Sequence, residues 1–306
     1  MLSLSNLTVK ISAAEDFYVA RELSLSIGAN EVVGILGESG SGKSLLAKSI
    51  CGLTTPPIRT IGGSITLDGR TLTTENDFKE VRGKGISMIF QHPTSALNPV
   101  MTIGEQLIET ILYHKIAADK ATAKELAIDL LTDTGIEHPT DRMNAYPHQL
   151  SGGMNQRVMI ALALATKPKV LIADEPTTAL DVIIQAQIIE LLAKLSREKG
   201  FSTIFITHDL ALAEKISDRI LVMYAGEIIE ELSKGAPAHH PCTTALKNCL
   251  PNFENRGATL PTITGIIPQN TSKYDNCCIF HERCQVAQDR CQIEKPTLKD
   301  GVKCFY

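Results

Sequence analysis

The sequence predicts an α/β fold with a mostly parallel sheet, interrupted by a helical insertion. Apolar strand-like runs alternate with helix-periodic runs, which is the pattern of an α/β core. One strand passes through a Gly/Ser loop directly into a helix. Residues 92–149 carry helical spacing throughout, which marks the insertion.

Taken in order, "MLSLSNLTVKISAAEDF" alternates like a strand. "NEVVGILGESGSGKSLLAKSICGL" reads as strand, loop and helix. Residues 62–70, "GGSITLDGR", form a short strand ending in a turn at Asp68-Gly69. "GISMIFQ" is another strand, and the insertion follows with "IGEQLIETILYH" and "AKELAIDLLTDTGI". "NQRVMIALALAT" is a buried helix, and "KVLIADE" a fully buried strand. "IIQAQIIELLAKLSREKG" is an amphipathic helix closed by glycine. "STIFITHD" and "RILVMYAGEIIE" are further strands. Beyond residue 235 proline and cysteine become frequent and periodicity weakens. Two regions follow: residues 1–235, with the insertion at 92–156, and residues 236–306.

Composition narrows the function. The 306 residues can bury a sizeable core, and 43% hydrophobic with 21% charged residues is ordinary for a soluble globular chain. The net charge of −4, the absence of tryptophan and 5% aromatics argue against a nucleic-acid partner. No apolar run approaches the roughly 20 residues needed to span a bilayer. The start lacks a basic region followed by an apolar one, so it does not read as a secretory signal. The expectation is a cytosolic chain that meets a membrane through a partner, in a compartment that disfavours disulfides.

"GESGSGKS", Gly37 to Ser44, fits the phosphate-loop pattern in its required place between strand and helix. Backbone N–H groups of Gly37, Glu38, Ser39, Gly40, Ser41 and Gly42 can turn inward on phosphate oxygens, with Leu45 continuing into the helix. Lys43 reaches the β- and γ-phosphates, and Ser44 can ligate Mg²⁺. "VLIADEP" is an apolar strand ending in two carboxylates. Asp174 is placed for the Mg²⁺ shell and Glu175 for the base that polarises water. Read singly, Gln91 is a surface amide, His208 a structural hydrogen-bonder, and "LSGGMNQR" a helix start with Ser151 as N-cap.

Together these residues resemble the ATP-binding subunit of ABC transporters over residues 1–235. The order is the phosphate loop, Gln91 of the Q-loop, the signature "LSGGM" at 150–154, "VLIADE" at 170–175, "TALD" at 178–181, and the switch histidine His208. The resemblance implies an ABC-type P-loop ATPase with a RecA-like core, an antiparallel β subdomain, the helical insertion and a small irregular C-terminal extension. It also implies that two subunits clamp two ATP molecules, with Ser151, Gly152 and Gly153 of one acting on the γ-phosphate held by the other. Asp181 of the D-loop is implied at the nucleotide, Gln91 between Mg²⁺ and the insertion, and Phe17 against adenine with Tyr18 as competitor. "FQHPTSALNPVMTIGEQ", "YPHQLSGGMNQRVMIALALA" and "HHPCTTALKNCLP" resemble the dipeptide, oligopeptide and nickel importer subfamily. The implied partners are a second ATPase subunit, a paralogue or a second copy, two membrane permease subunits and an extracytoplasmic solute-binding protein. The implied location is the cytoplasmic face of the inner membrane.

That subfamily often ends in "GCxFxxRCxxAxxxC" with one later cysteine, and Cys278, Cys284, Cys291 and Cys304 fall on this pattern. The resemblance implies a 4Fe–4S cluster on these four thiolates. Zinc and unmetallated thiols stay open as alternatives. Cys277 occupies a slot held by glycine in the pattern. Peptide import is the expected role, and nickel or metal-chelate import is the alternative, because this subunit does not touch cargo. A soluble ABC ATPase is remote, since the chain has one cassette and no long coiled coil. Intact Lys43, Asp174, Glu175 and His208 oppose a non-catalytic role.

Overall fold

The computed structural model describes residues 1–12, 17–178, 180–249 and 261–306. In chain order the first elements are β1 (Leu2–Ile11), β2 (Phe17–Ile27), β3 (Val32–Leu36), α1 (Lys43–Ile50), β4 (Ile58–Leu67), β5 (Arg70–Leu72), α2 (Glu75–Val81) and β6 (Ile86–Ile89). The helical stretch follows as α3 (Pro93–Ala96), α4 (Ile103–Tyr113), α5 (Lys120–Asp133), α6 (Pro139–Arg142) and α7 (Gly152–Leu164). Next come β7 (Val170–Asp174), α8 (Val182–Lys199), β8 (Ser202–Thr207), α9 (Leu210–Ile216), β9 (Arg219–Tyr224), β10 (Glu227–Ser233), α10 (Pro241–Asn248) and α11 (Asp289–Ile293). Two compact units result, one mainly residues 73–205 with 28–31, the other residues 2–27, 32–72 and 206–306.

In the first unit the strands lie in the order β8, β7, β6, with β6 and β7 parallel. All five residues of β7 are buried, as its unbroken apolar run requires. The stretch from His92 is helical as expected, but it is cut into short helices. Prolines open α3, α6 and a 3₁₀ turn at Pro147, and Gly135 leaves the α5 end at φ 73°. Thr102 and Glu105 close a reciprocal capping box on α4, fixing where its apolar face begins. Ile103, Leu107 and Ile111 of α4, Leu131 of α5 and Val158 of α7 then form one buried cluster. Each such side chain stabilises by about 1.5–3 kcal/mol when withdrawn from water.

In the second unit an antiparallel sheet runs β2-β1-β4-β5. The strand seen in residues 62–70 begins earlier, at Ile58, and turns at Asp68 (φ 51°) and Gly69 (φ 80°) into β5. Two positive φ values make this the turn whose twist suits a hairpin. "RILVMYAGEIIE" is likewise two strands, because Ala225 (φ 45°) and Gly226 (φ 88°) fold β9 back on β10. β3 and β9 pair in parallel. Residues after 261 are attached to this body. Tyr18 N–H donates to Thr271 Oγ1 at 2.8 Å, and Arg21 donates to the carbonyls of Thr271 and Tyr274. Gly301 and Lys303 exchange main-chain bonds with Glu231 and Ile229, which covers the β10 edge. Glu227, 1% exposed, receives Arg21 at 3.5 Å, Lys295 at 3.1 Å, and Lys303. Among the described residues no helix is long and apolar enough to cross a membrane.

Removing one partner from a buried ion network strands the opposite charges. Glu227→Ala should therefore lower the unfolding free energy by about 3 kcal/mol in denaturant titration. A loss within about 0.5 kcal/mol, the scale of an ordinary surface substitution, would mean that the three cations do not depend on it.

Candidate functional site

The phosphate loop joins β3 to α1 inside the second unit. Its glycines are needed for two different reasons. Gly42 has φ +105°, and a Cβ there would stand 2.6 Å from the Val19 carbonyl oxygen. A Cβ on Gly37 would collide with the Met223 carbonyl oxygen. Gly40, at φ +85°, faces open space, as the crest of an anion cradle should. The Lys43 ammonium is turned onto the loop, donating to Gly37 O at 2.8 Å, Glu38 O at 2.9 Å and Ser41 Oγ at 3.4 Å. Ser41 is fully buried, its carbonyl accepting from Gly226 N–H. Ser44 and Leu45 are half-buried in the first turn of α1, and Ser39 is exposed.

An open cleft of about 560 Å³ adjoins the loop, lined by Phe17, Glu38, Ser39, Gly40 and residues 265–269. Phe17 therefore faces the loop's cleft. Tyr18 does not line it, and its ring is covered by the Arg21 guanidinium at 5.0 Å and the Lys10 ammonium at 5.7 Å. His208 is exposed just after β8, and the next residue, Asp209, caps α9 through Leu212 N–H.

The carboxylates lie in the first unit. Asp174 ends β7 with 3% exposure, and Glu175 follows at φ 45°, a conformation that side-chain-bearing residues seldom adopt. Glu175 Oε2 accepts from Gln91 Nε2 at 3.0 Å and from Thr178 Oγ1 at 2.9 Å. Two donors on one oxygen fix the carboxylate's orientation. Gln91 and Glu175 are 84 positions apart, and no sequence pattern pairs them. Thr178 lies three residues downstream in the turn, a spacing at which a hydroxyl can reach back.

Ser151 accepts from Met154 N–H at 3.3 Å and caps α7, as its position predicted. Ser151 and Gly152 are exposed, whereas Gly153 packs on α8, where a Cβ would meet Ile184 Cγ2 at 2.9 Å. The Asp181 carboxylate caps α8, accepting from Ile183 and Ile184 N–H.

Cys278, Cys284, Cys291 and Cys304 line one small cavity with His240, Phe280 and His281. Cys277 is outside it, its thiol directed at the Lys273 carbonyl. Burial and the neighbouring thiols push Cys278 up to about 12 and raise Cys284. Four thiols around one cavity match the donor kind and number of an iron–sulfur cluster. Among the described residues, however, no three His, Cys, Asp or Glu side chains are arranged to hold a metal ion. Arg283, beside Cys284, forks onto the Glu38 carboxylate with both contacts at 3.1 Å. No sequence pattern links these two residues, which are 245 positions apart.

The family described as "ABC transporter" matches residues 20–178, and that described as "Oligopeptide/dipeptide transporter, C-terminal region" matches residues 235–291. The chain is 44% identical over 319 aligned residues to the dipeptide transport ATP-binding protein DppD of Escherichia coli, covering 100% of this chain and 96% of that protein. It is 43% identical to the oligopeptide transport ATP-binding protein OppD of Escherichia coli, covering 93% of this chain and 85% of that one. The ATP-binding cassette MJ0796, solved as a dimer in a post-hydrolysis state bound to ADP and Pi, superposes with a TM-score of 0.68. Its identity is 31%, over 78% of this chain and 100% of that one.

Proposed function

The chain belongs to the ABC transporter family, as an ATP-binding subunit with the oligopeptide/dipeptide-transporter C-terminal region, and from that membership we propose that it hydrolyses ATP to drive uptake of di- or oligopeptides. The observation that carries the peptide reading is full-length similarity to dipeptide and oligopeptide transport subunits, including the region after residue 235. Residues 1–235 are proposed as the nucleotide-binding domain and 236–306 as the importer-type C-terminal region.

The division of labour follows from the chemistry of each group. The loop N–H groups of residues 37–42 and the Lys43 ammonium bind the β- and γ-phosphates. Lys43 must leave the Gly37 and Glu38 carbonyls to do so, and those bonds keep it at the loop beforehand. Ser44, Gln91 and Asp174 are oxygen donors suited to Mg²⁺, which neutralises developing phosphate charge. Glu175, oriented by Gln91 and Thr178, accepts a proton from the attacking water. His208 positions the γ-phosphate and that water. Phe17 stacks on adenine. Ser151, Gly152, Gly153 and Asp181 act across a dimer, where the start of α7 offers its positive end to the partner's nucleotide.

The proposed assembly comprises a second ATPase subunit, a paralogue or a second copy, two permease subunits and an extracytoplasmic solute-binding protein. The subunit is peripheral, on the cytoplasmic face of the membrane. We also propose that Cys278, Cys284, Cys291 and Cys304 hold a 4Fe–4S cluster that fastens the C-terminal segment, since nothing in the ATP site calls for an electron. The gathering of four thiols at one cavity supports this.

Glu175→Gln should bind ATP with near-normal affinity yet lower steady-state hydrolysis by the assembled transporter at least a hundredfold, because the base is gone and the cradle intact. Hydrolysis within a fewfold of wild type would remove Glu175 from that role. Anaerobically purified protein should contain about four iron and four sulfide per chain. Stoichiometric zinc without iron, or no metal at all, would contradict the cluster.

A further inference from the structure

A carboxylate inside a phosphate-binding loop is electrostatically adverse. Glu38 is the second residue of the loop and lines the same cleft as Ser39 and Gly40. Its main-chain oxygen accepts from the Lys43 ammonium, so the residue is directly attached to the group that meets the phosphates. An uncompensated charge here repels a triphosphate over a distance at which protein screens incompletely.

The compensation comes from the cysteine-rich segment. Arg283 lies in a 3₁₀ turn between Cys278 and Cys284 and places one nitrogen on each Glu38 oxygen. Its side chain is 6% exposed, against 23% for Glu38. The guanidinium does not depend on Glu38 for its position. Its Nε donates to Thr264 O at 2.9 Å, one terminal nitrogen donates to Tyr224 Oη at 3.2 Å, and the group lies over the Tyr224 ring. Burial pushes the Tyr224 hydroxyl up to about 12, so it remains a neutral acceptor for that bond. A planar cation fixed from three sides is a rigid counter-charge, which a flexible lysine cannot match.

We infer that Arg283 is a positioning residue for the phosphate-binding loop: it fixes and neutralises Glu38, so that the C-terminal cysteine segment tunes the ATP affinity of its own subunit. This rests on the reading of residues 37–44 as the nucleotide site. Arg283 touches neither nucleotide nor metal in this scheme. It acts through Glu38, and the fork joins the turn beside Cys284 to the loop.

The test is equilibrium titration of the full chain with Mg²⁺–ATP, run at low and high ionic strength. Arg283→Gln should weaken binding about tenfold at low salt and by less at high salt, as screening relieves the exposed charge. Arg283→Lys should fall between Gln and wild type. Adding Glu38→Gln to Arg283→Gln should recover affinity to within about threefold of wild type, because the offending charge is then absent. A merely structural role would leave the double variant as weak as the single one. Overturning results are an Arg283→Gln variant that binds like wild type, or a loss that Glu38→Gln does not repair. Should Arg283→Gln not fold, Arg283→Lys with and without Glu38→Gln gives the same decision. Failure of the wild-type chain to bind ATP would overturn the nucleotide-site reading, and this inference with it.

Discussion

Glu227 is almost completely withdrawn from solvent, and three cations converge on it from separate parts of the chain. Arg21 comes from β2, whereas Lys295 and Lys303 come from the C-terminal segment. An isolated carboxylate at that depth would be expensive, so the position is tolerable only while the partners are present. The same strand pair that carries Glu227 turns at Gly226, whose N–H is donated to Ser41 of the phosphate loop. Attachment of the C-terminal segment and the shape of the loop are therefore properties of one packed body.

Within that body charge is handled by pairing. The Lys43 ammonium rests on loop carbonyls, Glu38 is forked by Arg283, and Glu227 is surrounded. Each arrangement holds a charged group in place before any ligand arrives, which lowers the reorganisation that binding demands. In the other unit the same economy appears at Glu175, where an unusual backbone angle and two hydrogen bonds orient one carboxylate oxygen. Strain of this kind persists where surrounding structure over-determines it, and it is common at catalytic residues.

Much of this was legible in the sequence, for identifiable reasons. The phosphate loop, the buried strand of β7 and the cap at Ser151 are local patterns, set by residues a few positions apart. The helical insertion was legible as a whole but not in its breaks, which depend on Pro93, Pro139, Pro147 and Gly135. The β9–β10 hairpin was hidden because Ala225 carries half of a turn for which it has no intrinsic preference. β2 went unassigned as a separate strand. Long-range chemistry was not legible at all. Arg283 with Glu38, Gln91 with Glu175, and the three cations around Glu227 are products of folding, and no spacing rule announces them. The gathering of Cys278, Cys284, Cys291 and Cys304 at one cavity was expected from resemblance, and the exclusion of Cys277 from it agrees with its slot in the pattern.

The cargo is the part of the reading farthest from this subunit's own atoms, because an ATPase that powers transport need not touch what is carried. The direct measurement is uptake by vesicles holding the transporter as proposed, with this chain, permease subunits and an extracytoplasmic solute-binding protein. Labelled dipeptide should accumulate only when Mg²⁺–ATP is supplied on the face bearing this subunit, and dipeptide should stimulate hydrolysis. Accumulation of a nickel chelate with no response to peptides would contradict peptide import, and hydrolysis uncoupled from any uptake would contradict the transport role itself.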